Sequence, residues 1–78
     1  MNGFVNIFFN GQSNNKPTTT LGKIVKVQHV KFAYLVTGQV DAIAWVEATD
    51  SGAFLDALLA INAISGVDHT STNVALHR

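Results

Sequence analysis

The sequence has no cysteine, one proline, and five basic against five acidic side chains in 78 residues. Without cysteine there is no disulfide scaffold and no thiol nucleophile, which fits a reducing compartment. A chain this short forms one small domain, and an unstapled core of that size is marginal alone. The balanced charge and the lack of a basic stripe argue against direct nucleic-acid binding through phosphate contacts. No apolar run reaches the roughly 18 residues of a membrane span, and the basic-then-apolar layout of a signal peptide is missing. A cytoplasmic protein is the expectation. There is no glycine-rich phosphate loop and no Ser-His-acid set with a nucleophile elbow, so neither an enzyme nor a cofactor is expected.

What is present is apolar: hydrophobic residues make up 47% of the chain and charged ones 13%. A small domain has much surface to cover, so this balance predicts burial against another subunit. Residues 4–9, FVNIFF, read as a strand with both faces covered. NGQSNNKP, residues 10–17, reads as a loop. In the segment that follows, Leu21, Ile24, Val25 and Gln28 have helix spacing, with Pro17 in the first turn and a threonine cap nearby. Three threonines, Gly22 and the alternation of Val25 and Val27 with lysines pull the other way; a helix over 18–28 is the expectation.

Residues 30–37 alternate as a strand, with Phe32, Tyr34 and Val36 on one side. Gly38-Gln39 reads as a two-residue hairpin turn, and residues 40–48 as the returning strand. That strand sets Ala42, Ala44, Val46 and Ala48 on one face, leaving room for a closely packed helix. Asp41, Ile43, Trp45 and Glu47 fall on the other. Asp50-Ser51 opens a helix through Phe54, Leu55, Leu58, Leu59, Ile61 and Ile64, which Ser65-Gly66 closes. Residues 67–76 form a last strand with Thr70, Thr72, Val74 and Leu76 on one face.

The order β-α-β-β-α-β predicts an α+β, ferredoxin-like fold: an antiparallel four-stranded sheet with two helices on one face. The other face is left bare, with Ile43 and Trp45 on it. Two such sheets packed face to face make a symmetric dimer, a dimeric α/β barrel, and account for the low charge. Ile43 and Trp45 are the expected interface anchors.

Residues 30–76 resemble the effector-binding domain of the Lrp/AsnC regulators, also called RAM, for regulation of amino-acid metabolism. The resemblance is carried by VTG, an Asp three residues after that Gly, IAWVEA, an acidic helix start, and ISGV before a strand containing TST. Residues 1–29 fit by layout. The chain opens on its own Met without a helix-turn-helix, like a stand-alone member. The resemblance implies a homodimer through the sheet faces and a further ring of dimers, an octamer or similar. It also implies an amino acid or related metabolite bound in clefts between dimers, and a transcriptional effect exerted through a full-length Lrp/AsnC regulator. It assigns ligand contact to Thr37, Gly38, Gln39, Val40 and Asp41, and to Thr70 and Thr72. Members often carry an acidic and then an aromatic residue after the Gly; here Gln39-Val40 stand there, one carboxylate fewer.

Bland roles stand beside these. Asp41 also suits a hydrogen bond to its own turn, and Thr70 and Thr72 suit ordinary strand positions. His29, His69 and His77 have no metal-site spacing; the last two share a strand face but lie roughly 20 Å or more apart. Two alternative functions follow: a ligand-free assembly partner of full-length regulators, or a small dimeric-barrel oxygenase or isomerase. The enzyme requires His29 or His69 in an apolar pocket between helix and sheet.

Overall fold

The computed structural model describes residues 1–11 and 16–76. Along the chain lie β1 (Asn2–Phe9), α1 (Pro17–Ile24), β2 (Val30–Leu35), β3 (Ala42–Glu47), α2 (Ser51–Asn62) and β4 (Val67–Ala75). The four strands form one antiparallel sheet in the order β2-β3-β1-β4. This is the expected ferredoxin-like β-α-β-β-α-β fold.

The core lies between helices and sheet. Val5, Ile7, Ala33, Ala42, Ala44 and Val46 from the strands meet Ile24, Phe54, Ala57 and Ile61 from the helices, all buried. The alanines of β2 and β3 let the helices come close, as their one-sided placement predicts. Gly3 belongs to the same fit: a Cβ there would stand 2.8 Å from the Asn73 carbonyl oxygen and 2.9 Å from the Phe54 ring. The first strand thus needs a glycine to admit Phe54.

Both helices are shorter than their apolar spacing predicts. Pro17 takes the first helical position of α1, which puts the cap at Lys16, ahead of the threonines; no side chain caps it. The expected threonine cap is therefore absent. The helix stops at Ile24, four residues short of Gln28, because the chain tightens into turns that end on His29 at φ +78°. In α2 the Asp50 carboxylate accepts from the Ala53 N–H at 2.8 Å, as expected of a cap. That helix ends at Asn62, and Gly66, at φ +104°, closes the turn beyond it.

The two helix exits match. Val27 and Val30 donate to Ile24 and Val27, just as Ile64 and Val67 donate to Ile61 and Ile64. His29 then occupies the left-handed position that Gly66 holds in the second half. Their carbonyls accept from Glu47 and Asn10 respectively, at 3.0 and 2.7 Å.

The sheet face away from the helices is bare and aromatic. Phe4 and Phe32 are 44% and 41% exposed there and Tyr34 62%. Phe4 packs on Trp45 with ring centroids 4.6 Å apart, and Phe32 on Tyr34 at 5.5 Å. Trp45 and Ile43 are half-buried within this patch.

Candidate functional site

The loop between β2 and β3 is wider than a two-residue turn. The ladder ends at Leu35 opposite Ala42, and one more bond, from Val36 N–H to the Asp41 carbonyl at 3.1 Å, closes it. Residues 37–40 span the gap. The reason lies in Asp41, which is drawn to β1: its N–H donates to the Ile7 carbonyl at 3.0 Å. Gly38 sits at φ +124° with open space where a Cβ would be, so the requirement there is conformational rather than steric. Thr37, Gly38 and Gln39 are exposed and Val40 is half-buried.

The Asp41 carboxylate bonds neither its own turn nor, among the described residues, a cationic side chain. Its Oδ2 accepts from the Phe9 N–H at 2.8 Å, across 32 residues of sequence. That amide stands at the end of β1, where β3 has not begun and where pairing with β4 shifts register between Phe8 and Phe9. The carboxylate supplies the acceptor the ladder lacks. Oδ1 takes no hydrogen bond among the described residues. Beside Asp41 lies a cavity of about 290 Å³ lined by Phe9, Asn10, Gly11, Pro17, Thr20 and Gly66.

Thr70 and Thr72 do not join this group within one chain. They lie on β4 opposite Ile7 and Val5, with β1 between them and β3. Two strand spacings, roughly 10 Å, separate Thr70 from Ala42. Thr70 accepts from the Asn62 Nδ2 at 3.0 Å, and Asn62 also donates to the Leu58 carbonyl at 2.9 Å. Trp45 donates through Nε1 to the Glu47 Oε2 at 2.6 Å. That pair was legible, since residues two apart share a strand face. Phe9 and Asn62, as partners of Asp41 and Thr70, left no sequence signal.

The histidines are dispersed. His69 lies on the bare face, stacked on Phe8 at 4.2 Å and paired with Asp68 at 2.6 Å. It is therefore not between helix and sheet, as the enzyme alternative requires. His29 lines a surface cavity of about 250 Å³ with Val27, Gln28, Asp56, Ala57 and Ala60. His77 lies outside the described residues. Among the described residues no three His, Asp or Glu side chains are grouped to hold a metal. No described helix is long and apolar enough to cross a membrane.

The family model of the Lrp/AsnC ligand binding domain matches residues 2–78. The chain belongs to this family. Its members are the ligand-binding parts of regulators, which agrees with the VTG, Asp41 and ISGV signals, and the match also takes in residues 2–29. Among solved structures, this Lrp/AsnC domain is similar to TTHA0845 from Thermus thermophilus, at 28% identity and a TM-score of 0.85, over 99% of this chain and 94% of that one. It is similar to Escherichia coli AsnC at 23% identity and 0.83, over 99% of this chain but 51% of that one. It is also similar to the Neisseria meningitidis transcriptional regulator NMB0573, solved as a complex with L-Met, at 18% identity and 0.81, over 97% and 49%. The last two likenesses bear on the fold alone. No curated protein sequence gave a match.

Proposed function

We propose that this Lrp/AsnC domain senses an amino acid or related small metabolite at a cleft between dimers, in the cytoplasm, and modulates a DNA-binding partner through assembly. The observation that carries the reading is Asp41: an exposed carboxylate in the family's loop, held in place through one oxygen by the Phe9 N–H, with no bond to the other oxygen among the described residues. A pre-oriented carboxylate of this kind accepts a ligand's ammonium group, a charge-assisted bond worth about 1.5–3 kcal/mol. Backbone N–H groups of the Gly38 turn receive the ligand's carboxylate. Thr37, Gln39 and Val40 wall the cleft. Thr70, two strands across the sheet from Ala42, and Thr72, further along β4, complete it from a neighbouring copy. Ile43 and Trp45 anchor the sheet-face dimer, and dimers build the ring. A ligand held between dimers favours whichever assembly presents the whole site. The Neisseria meningitidis regulator, of the same fold, was solved with L-Met, an example of that ligand class.

A second reading has its own support. Gln39-Val40 leave Asp41 as the sole carboxylate of the loop, and Phe9 already engages it. A domain that binds nothing and assembles with full-length regulators fits that observation.

Native mass spectrometry with and without a pool of the common amino acids separates the two. The sensor gains the mass of one of them. Asp41→Asn keeps an oxygen for Phe9 but loses the charge, so affinity falls by about tenfold or more at unchanged fold. Unchanged affinity in that variant would remove Asp41 from the site. An assembly that takes up nothing at millimolar concentration leaves the assembly-partner reading.

A further inference from the structure

Asparagine followed by glycine is the pair most prone to lose its side-chain amide. The next residue's nitrogen attacks the asparagine side chain, and glycine has no Cβ to obstruct it and bends freely into place. The chain contains this pair twice, at Asn2-Gly3 and at Asn10-Gly11. The fold treats them oppositely. Asn2 and Gly3 lie inside β1, paired with β3 on one side and β4 on the other, and Gly3 is packed close to the Phe54 ring. An extended ladder residue holds the following nitrogen away from its own side chain. Asn10 and Gly11 come just past the end of β1, and both are exposed. The Asn10 N–H donates to the Gly66 carbonyl at 2.7 Å, and Gly11 then enters a turn. Beyond its chain neighbours, nothing stands within 4 Å of where a Gly11 Cβ would be, and its φ is not in the left-handed region. Neither space nor backbone conformation therefore demands a glycine there.

We infer that Asn10 is a site of spontaneous deamidation, and that its product sets a second carboxylate in the cavity beside Asp41. The Gly11 nitrogen, giving up its proton, attacks the side-chain carbonyl carbon of Asn10. The new C–N bond closes a five-membered imide, and the side-chain nitrogen leaves as ammonia. Water then opens the ring at either carbonyl. One opening leaves aspartate; the other leaves isoaspartate, with the chain routed through the side chain. Either way the chain loses ammonia, takes up water and gains one carboxylate, with no oxidation or reduction. Asn10, Gly11 and Asp41 line the same cavity of about 290 Å³. The Phe9 N–H that anchors the Asp41 Oδ2 belongs to the residue before Asn10. Conversion therefore brings a like charge to that anchor, in a chain whose formal net charge is otherwise zero. Like charges at such a site disfavour each other and draw in a cation. On the sensor reading, on which this last consequence rests, the converted form holds a ligand's ammonium group more tightly.

Incubation of the whole protein for days at mildly alkaline pH tests this, with peptide fragmentation in a mass spectrometer to place the change. The mass difference between a carboxyl group and an amide is expected to accumulate at Asn10 and not at Asn2. Gly11→Ala is expected to slow the conversion by about an order of magnitude. Circular dichroism checks its fold, which the open space at Gly11 leaves intact. No gain at Asn10, an equal gain at Asn2, or a rate indifferent to Gly11→Ala overturns the inference. The place of the new carboxylate is read by a double-mutant cycle in urea at low salt. Asn10→Asp is expected to lower the urea midpoint, and to lower it less when combined with Asp41→Asn. An identical loss in both backgrounds removes the new charge from beside Asp41. Amino-acid affinity is read separately and is expected to be several-fold higher in Asn10→Asp than in the wild type. Equal affinities overturn the tighter hold, whereas no uptake by either form sinks the sensor reading and leaves the conversion at Asn10 standing.

Discussion

Asp41 is one side chain with two separable duties. Its Oδ2 finishes the hydrogen bonding of β1, a bond to an ionised acceptor. Asp41→Ala is expected to cost about 1 kcal/mol in urea denaturation, and Asp41→Asn clearly less. Equal losses in the two variants would show that the Phe9 bond does not matter. His29 is the complementary case, a residue that holds a conformation better suited to glycine. At φ +78° an L side chain crowds its own carbonyl. His29→Gly, copying Gly66 of the other half, is expected to stabilise the fold by about 0.5–1 kcal/mol. A lower urea midpoint would mean that the imidazole contributes packing worth more than the strain. Neither duty was legible from neighbours in sequence. An unusual φ and a partner 32 residues away are both properties of the folded chain.

Among the elements, legibility follows how local the cause is. The start of α2 was readable because Asp50 caps a helix through an amide three residues on. Asp50→Ala is expected to lower stability by about 1 kcal/mol and the melting temperature by roughly 4–8 °C. A shift under one degree would contradict the cap's role. The ends of α1 and α2 were overrun because apolar spacing continues through the exit turns: Val27 and Ile64 still pack against the core after the helices stop. Gly3 is a tertiary requirement hidden in a strand. Gly3→Ala would thrust a methyl into the Asn73 carbonyl and the Phe54 ring and should cost about 1–3 kcal/mol by thermal melting. A neutral result would mean that Phe54 swings aside freely. The β2–β3 turn escapes local reading for a similar reason, since Gly38-Gln39 suits a tight hairpin until Asp41 is pulled toward β1.

For the whole molecule, the bare sheet face is the dominant feature. Phe4, Phe32, Tyr34 and Trp45 form a continuous aromatic surface that water covers poorly. Trp45→Lys places a charge in its middle and is expected to convert the protein to monomers at micromolar concentration, read by sedimentation. A variant that sediments like the wild type would move the interface elsewhere. Low overall charge pointed to this face before any coordinates, because a small domain with few charges has little else to hide apolar residues.

Alternation along strands, a capped apolar helix and the order of elements come from contacts within a few residues. The sequence by itself therefore determined the ferredoxin-like architecture, the helix-facing alanines and the exposed aromatics opposite them. The same local pattern carried the family's loop at residues 37–41. Only the tertiary structure decided what Asp41 holds, why Gly3 must be small, where the helices stop and how far Thr70 lies from the loop. Each of those depends on which strand lies beside which, and strand neighbours in this sheet are tens of residues apart in the chain.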